Sequence, residues 1–161
     1  MIRQRLGKDL LFFDGGMGTL LQEKGLAPGE LPETWNLTHS EEIYKIHRQY
    51  IEAGSDIILT NTFGANALKF HDDSCSLEEI IKAAVSHVKK AEREALLQTG
   101  DERKIYTALD VGPTGKLLKP MGDLEFETAY EAFKEVVILG EQAGADLIHI
   151  ETMSDTYELK A

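Results

Sequence analysis

Apolar positions along this chain follow two spacings. Short unbroken runs occur at LLFF (10–13), within DIILT (56–60), within KIYTAL (104–109) and within DLIHI (146–150), and each stops at polar residues. Between them, apolar residues recur every three or four positions. Short runs bounded by turn residues predict buried strands, and the wider spacing predicts amphipathic helices. A short helical piece is expected over Leu20–Lys24, ended by Gly25. The segment 26–37, with Pro28, Gly29, Pro32 and Trp35, reads as an irregular excursion. A helix over Glu41–Ala53 puts Ile43, Ile46, His47, Tyr50 and Ile51 on one face, with Ser40 as its cap and Gly54 as its stop. His47 there reads as a packing or surface residue rather than a ligand.

A polar loop at 71–76 leads to a long helix from about Leu77 to Gln98, with Ile80, Ile81, Ala84, Val85, Val88, Ala91 and Leu96 at helical spacing. A turn at Gly100-Asp101 starts the third strand. A loop with Gly115, Pro120 and Gly122 follows, then a helix from about Phe126 to Ala143, the fourth strand, and a helical start at Tyr157.

Strand followed by helix, four times over, predicts an α/β fold with a parallel sheet and right-handed crossovers. Every predicted strand ends in hydrogen-bonding residues: Asp14; Asn61 with Thr62; Asp110; Glu151 with Thr152. Both (β/α)8 barrels and doubly wound sheets build ligand sites at the C-terminal ends of strands, so the pattern leaves both open. A complete barrel takes about 250 residues, and four βα units are half of one. The sequence stops within a helical pattern without a Gly or Pro, so it reads as truncated at its C-terminus.

The first strand end carries the densest signal, DGGMG at 14–18. Its glycines permit a sharp turn or close approach to a ligand, because no Cβ stands in the way. Either the loop cradles a small molecule whose positive end Asp14 holds, or Asp14 bonds neighbouring backbone N–H groups in a tight βα turn.

Charge and composition narrow the partners. The 28 acidic against 17 basic residues give a formal charge of −11, and no Lys/Arg-rich run occurs, which argues against nucleic acid. No apolar run nears the roughly 18 residues of a membrane span, so a cytoplasmic protein with no membrane partner is expected. The one cysteine, Cys75, excludes an intramolecular disulfide; flanked by Asp72, Asp73 and Ser74, it gains nothing towards a thiolate and reads as inert. Gly16 and Gly18 start a G-x-G-x-x-G pattern that Leu21 breaks, and Gly112, Gly115 and Lys116 do not space as a phosphate loop. No C-x-x-C or H-E-x-x-H pattern is present. His149 shares a strand face with Glu151 and reads as an interior packing histidine.

Four longer segments carry a resemblance: DGGMGTLLQEKGL (14–26), PETWNLTHSEEIYKIHRQYIEAGSDIILTNTFGAN (32–66), DVGPTGKLLKPMG (110–122) and DLIHIETMSDTYELKA (146–161). In order and over nearly the whole chain, they resemble the homocysteine S-methyltransferase family, and within it the N-terminal homocysteine-binding module of cobalamin-dependent methionine synthases. The resemblance implies a (β/α)8 TIM barrel, of which residues 1–161 are the N-terminal half. It implies methyl transfer to the homocysteine thiol, with L-homocysteine as the bound partner. In the family an acid after the first strand and a glutamate after the fourth hold the substrate's amino group; the matching positions are Asp14 and Glu151. Backbone N–H groups around Gly15, Gly16 and Met17 suit the substrate carboxylate, and Asn61, Thr62 and Asp110 match loop positions of the family's site.

The family also implies zinc, held by three cysteines in later segments that this sequence does not contain, so neither a catalytic residue nor a metal ligand is expected here. Cobalamin and methyltetrahydrofolate belong to the parent protein; betaine and S-methylmethionine are other donors within the family. Half a barrel has open sheet edges, which invite self-association or a partner chain supplying the other half. A non-catalytic half-barrel that binds an amino acid, and an unrelated TIM-barrel lyase or aldolase using Asp14 and Glu151 as acid and base, stay open as alternatives.

Overall fold

The computed structural model describes residues 2–72, 74–100 and 103–161, and for Thr99 the backbone alone. The parts of the expected loop and turn that fall on Asp73 and Asp101 lie outside these. Three parallel strands, β1 (Ile57–Leu59), β2 (Tyr106–Val111) and β3 (Leu147–Ile150), lie in the order β1-β2-β3. The register pairs Ile57 with Tyr106 and Asp110 with His149. The helices are α1 (Met17–Glu23), α2 (Trp35–Thr38), α3 (Ser40–Ala53), α4 (Leu77–Thr99), α5 (Phe126–Ala143) and α6 (Thr156–Lys160).

Strand alternation sorts β2 cleanly. Leu109 and Val111 face the helices and pack with Ile80, Ile81, Phe133 and Val136 of α4 and α5. Tyr106 and Ala108 face the other way and pack with Ile57, and Asp110 continues that row at the strand's C-terminal end. A further cluster joins Tyr44 and Ile51 of α3 to Val88 and Ala91 of α4 over Ile58. The long helix α4 starts as its sequence suggests: Ser76 accepts from the Glu79 N–H while the Glu79 side chain receives the Ser76 N–H, a reciprocal cap.

Several expectations are corrected. The first of the four expected strands is not a strand: residues 10–13 make one bridge, Phe13 to Ile57. The Phe12 N–H goes to the Asp56 carboxylate, so the ladder consists only of bonds around Phe12 O and Asp14 N. Ser40 lies inside α3 rather than capping it; His39 holds the cap position, its ring stacked on Trp35 at 4.0 Å. The excursion at 26–37 contains a 3-10 turn (Pro32–Thr34) and most of α2. Asp110 lies within β2, not beyond it.

Candidate functional site

The strand ends converge on one cleft of about 510 Å³. Asp14, Gly15, Gly16 and Met17 enter it from the first loop and the start of α1, Asn61 from the loop after β1, Asp110 from β2, and Glu151 from the end of β3. Thr62 does not line it. Its hydroxyl donates to the Asp110 carbonyl at 2.8 Å and is 2.7 Å from the Thr60 hydroxyl, and the Asp110 N–H donates to that Thr60 oxygen at 3.1 Å. Thr60 and Thr62 thus fix the backbone that presents Asp110. Asn61 lines the cleft held at two points: its Nδ2 donates to the Pro32 carbonyl, and its backbone carbonyl accepts from the Asn36 side-chain amide.

Two glycines make the close approaches. A Cβ on Gly112 would come within 2.6 Å of the Phe63 carbonyl, which accepts the Gly112 N–H. A Cβ on Gly15 would meet the Tyr50 hydroxyl at 2.8 Å. That hydroxyl donates to the Gly16 carbonyl and holds the glycine loop onto α3. The N–H groups of Gly15 and Gly16 have no acceptor among the described residues.

Pro32, Glu33, Leu59, Phe63 and Thr152 also line the cleft. The strand-end rule passes over Glu33, which comes from the proline-rich excursion. It is buried, and its Oε1 accepts the Gly64 N–H across 31 residues of sequence. Thr152 has a φ of 58°, a left-handed conformation that a β-branched residue seldom adopts, so the turn after Glu151 is held against its local preference. His149 lies half-buried beneath the site, tilted against Phe13 at 5.0 Å, with Nε2 3.6 Å from Glu151 Oε2.

The electrostatics are one-sided. Asp14, Glu33, Asp110 and Glu151 line the cleft, and among the described residues no Lys, Arg or His does. Asp14 Oδ2 accepts the Leu59 N–H at 3.1 Å, but its Oδ1 is buried without a partner, as is Oδ1 of Asp110. Burial pushes the Asp14 carboxyl up to about 7, against the Leu59 hydrogen bond and with help from Glu151. Burial, then the charges of Glu151, Asp14 and Glu33, push Asp110 up to about 8. His47, fully buried with neither ring nitrogen hydrogen-bonded, is pushed down to about 3 by burial and by His87.

These shifts set the sign of a pH dependence. The two aspartates bind protons in the folded chain that the unfolded chain has released above about pH 4, so their stabilisation is lost as pH rises through about 7 and 8. His47 acts oppositely, but only below its unfolded value near 6.5. The chain is therefore expected to lose on the order of 3–4 kcal/mol between pH 6 and 8.5, lowering its melting temperature by roughly ten degrees. Asp110→Asn should flatten that slope in calorimetric melts; a slope of the opposite sign would contradict the arrangement.

The donor set does not suit zinc. The only cysteine, Cys75, lines a different pocket with Thr34, His39 and Asp72, and burial, with the charges of Asp72 and Glu79, pushes its thiol up. Among the described residues, no three His, Cys, Asp or Glu side chains are grouped to hold a metal.

Comparison with known proteins identifies the fold and family. The methionine synthase of Mycobacterium leprae (strain TN) is 31% identical over 164 residues, covering 98% of this chain but 13% of the relative. The oxidised form of the Escherichia coli homocysteine methyltransferase MmuM superposes with a TM-score of 0.83 at 23% identity, over 99% of this chain and 59% of that one. Its apo form superposes at 0.75 with 24% identity, over 96% and 53%. The chain thus spans a small part of the curated relative and little more than half of the solved structures. The family model for homocysteine S-methyltransferase matches residues 11–161. With that match over nearly its whole length, the chain belongs to the homocysteine S-methyltransferase family.

Proposed function

We propose that residues 1–161 form the N-terminal half of a homocysteine-binding (β/α)8 domain, whose parent activity is methyl transfer to the homocysteine thiol to give methionine. The observation that carries the binding role is the pair of buried, unpartnered carboxylate oxygens on Asp14 and Asp110 in an acidic cleft. Leaving such atoms unpaired is costly, and an ammonium group supplies the missing donors. Asp14 and Glu151 take the ammonium of homocysteine, replacing its lost hydration with hydrogen bonds worth roughly 1.5–3 kcal/mol each. The free N–H groups of Gly15 and Gly16, together with that of Met17, receive the carboxylate. Leu59, Phe63 and Pro32 offer the methylene groups an apolar wall.

Zinc in this chemistry turns the homocysteine thiol into a thiolate at neutral pH. Among the described residues no three His, Cys, Asp or Glu side chains are grouped to hold it, so no thiol-activating step is assigned to them; they bind and orient the amino acid. The chain alone should form no methionine from homocysteine and S-methylmethionine with zinc added. In thermal-shift assays homocysteine should stabilise it and sugar phosphates should not. Turnover would refute the division of labour, and stabilisation by sugar phosphates instead would favour a lyase or aldolase.

A further inference from the structure

The cleft holds more acid than the proposed grip on an ammonium group requires. Asp110 is 6% exposed, its Oδ1 has no hydrogen-bond partner, and Thr60 and Thr62 lock its backbone N–H and carbonyl. Other ionisable groups face it from each neighbouring element. Asp14 comes from the first loop, Glu33 from the 3-10 turn, and Glu151 from the end of β3. His149 is the strand neighbour of Asp110 in register, with its Nε2 near Glu151, and Tyr50 of α3 stands near Asp14. Among the described residues no Lys or Arg lines the cleft. Burial and like charge both disfavour ionisation of a carboxyl placed this way.

Resting on the homocysteine reading above, we propose that Asp110 holds a proton when no cation occupies the cleft and releases it to solvent when the substrate's ammonium enters, so that amine binding is proton-linked. One ammonium enters, one proton leaves to the buffer, and no covalent bond to carbon or sulfur changes. The charge that Asp110 regains on losing its proton faces the incoming ammonium, which avoids leaving its buried carboxylate unpaired in either state. Asp14 belongs to the same coupled titration, since its charge and that of Asp110 oppose each other across the cleft. The upward displacement of both carboxyls agrees with this geometry. The arrangement also selects for a class of ligand: a molecule without a cationic group cannot take the place of the proton and would meet Glu33 and Glu151 uncompensated.

Calorimetric titration of the 161-residue chain with homocysteine at pH 7, in two buffers of different ionisation heat, measures the protons released. About one proton per homocysteine is expected, with affinity falling about tenfold per pH unit below 7. Asp110→Asn should cut the release by about half or more. Carboxyl 13C NMR of the ligand-free chain supplies a readout independent of any ligand, with Asp110 expected to titrate above about pH 6. Titration of Asp110 below about pH 5, or homocysteine binding without proton release, overturns the proposal. If Asp110 titrates high but homocysteine gives no binding heat, the homocysteine reading fails while the protonated carboxyl is supported.

Discussion

Replacing Asp14 with asparagine is expected to weaken homocysteine binding by roughly ten- to a hundredfold, the equivalent of one charge-assisted hydrogen bond. The substitution is nearly isosteric. An asparagine oxygen can still accept the Leu59 N–H that Asp14 Oδ2 accepts now, so the loop after residue 13 should hold its shape. What disappears is the negative charge on the oxygen that has no partner in the folded chain. Removing a buried carboxylate also removes its desolvation cost, so the melting temperature at pH 8 should hold or rise while affinity falls. That opposite movement separates a binding role from a structural one. Unchanged affinity would take Asp14 out of the site.

The second large effect concerns a residue outside the cleft. Glu158 on α6 is 4% exposed, and its Oε1 accepts both the N–H and the hydroxyl of Thr114, at 2.8 and 2.6 Å. This clamp ties α6, which follows the Glu151 loop, to the loop that follows Asp110. Glu158→Ala leaves the buried Thr114 N–H without an acceptor and its hydroxyl with only the Lys116 carbonyl at 3.5 Å, and it opens a cavity behind them, so a loss of about 2–4 kcal/mol in stability is expected by urea unfolding. Glu158→Gln retains an acceptor oxygen of the same reach and should recover most of that loss. If alanine and glutamine destabilise equally, Glu158 acts by charge rather than as a clamp.

The contrast between these residues shows what a sequence discloses. The helices α3, α4 and α5 are legible within a residue or two, because each carries a sustained 3.6-residue apolar stripe ended by a glycine or a change of spacing. Residues 10–13 look like a strand because they are apolar, yet a strand needs a partner with free backbone groups, and the Asp56 side chain takes the Phe12 N–H. Ser40 has a good capping side chain, but the stacking of His39 on Trp35 moves the helix start one residue back.

The site divides in the same way. Asp14, Asn61, Asp110 and Glu151 follow apolar runs in the sequence, which marks them, and all four line the cleft. Glu33 and Glu158 were not legible. Their partners lie 31 and 44 residues away, and nothing local distinguishes either from a solvated glutamate. Thr62 follows an apolar run like the others, yet its hydroxyl turns inward to the Asp110 carbonyl, an orientation that only the packed loop determines.

The most direct test compares homocysteine with 4-sulfanylbutanoic acid, the same molecule without its amino group, by calorimetric titration of the chain at pH 7.5. If the acidic cleft grips an ammonium, homocysteine should bind at least about tenfold more tightly than the deaminated analogue. Equal affinity for the two would contradict the role given to Asp14, Asp110 and Glu151.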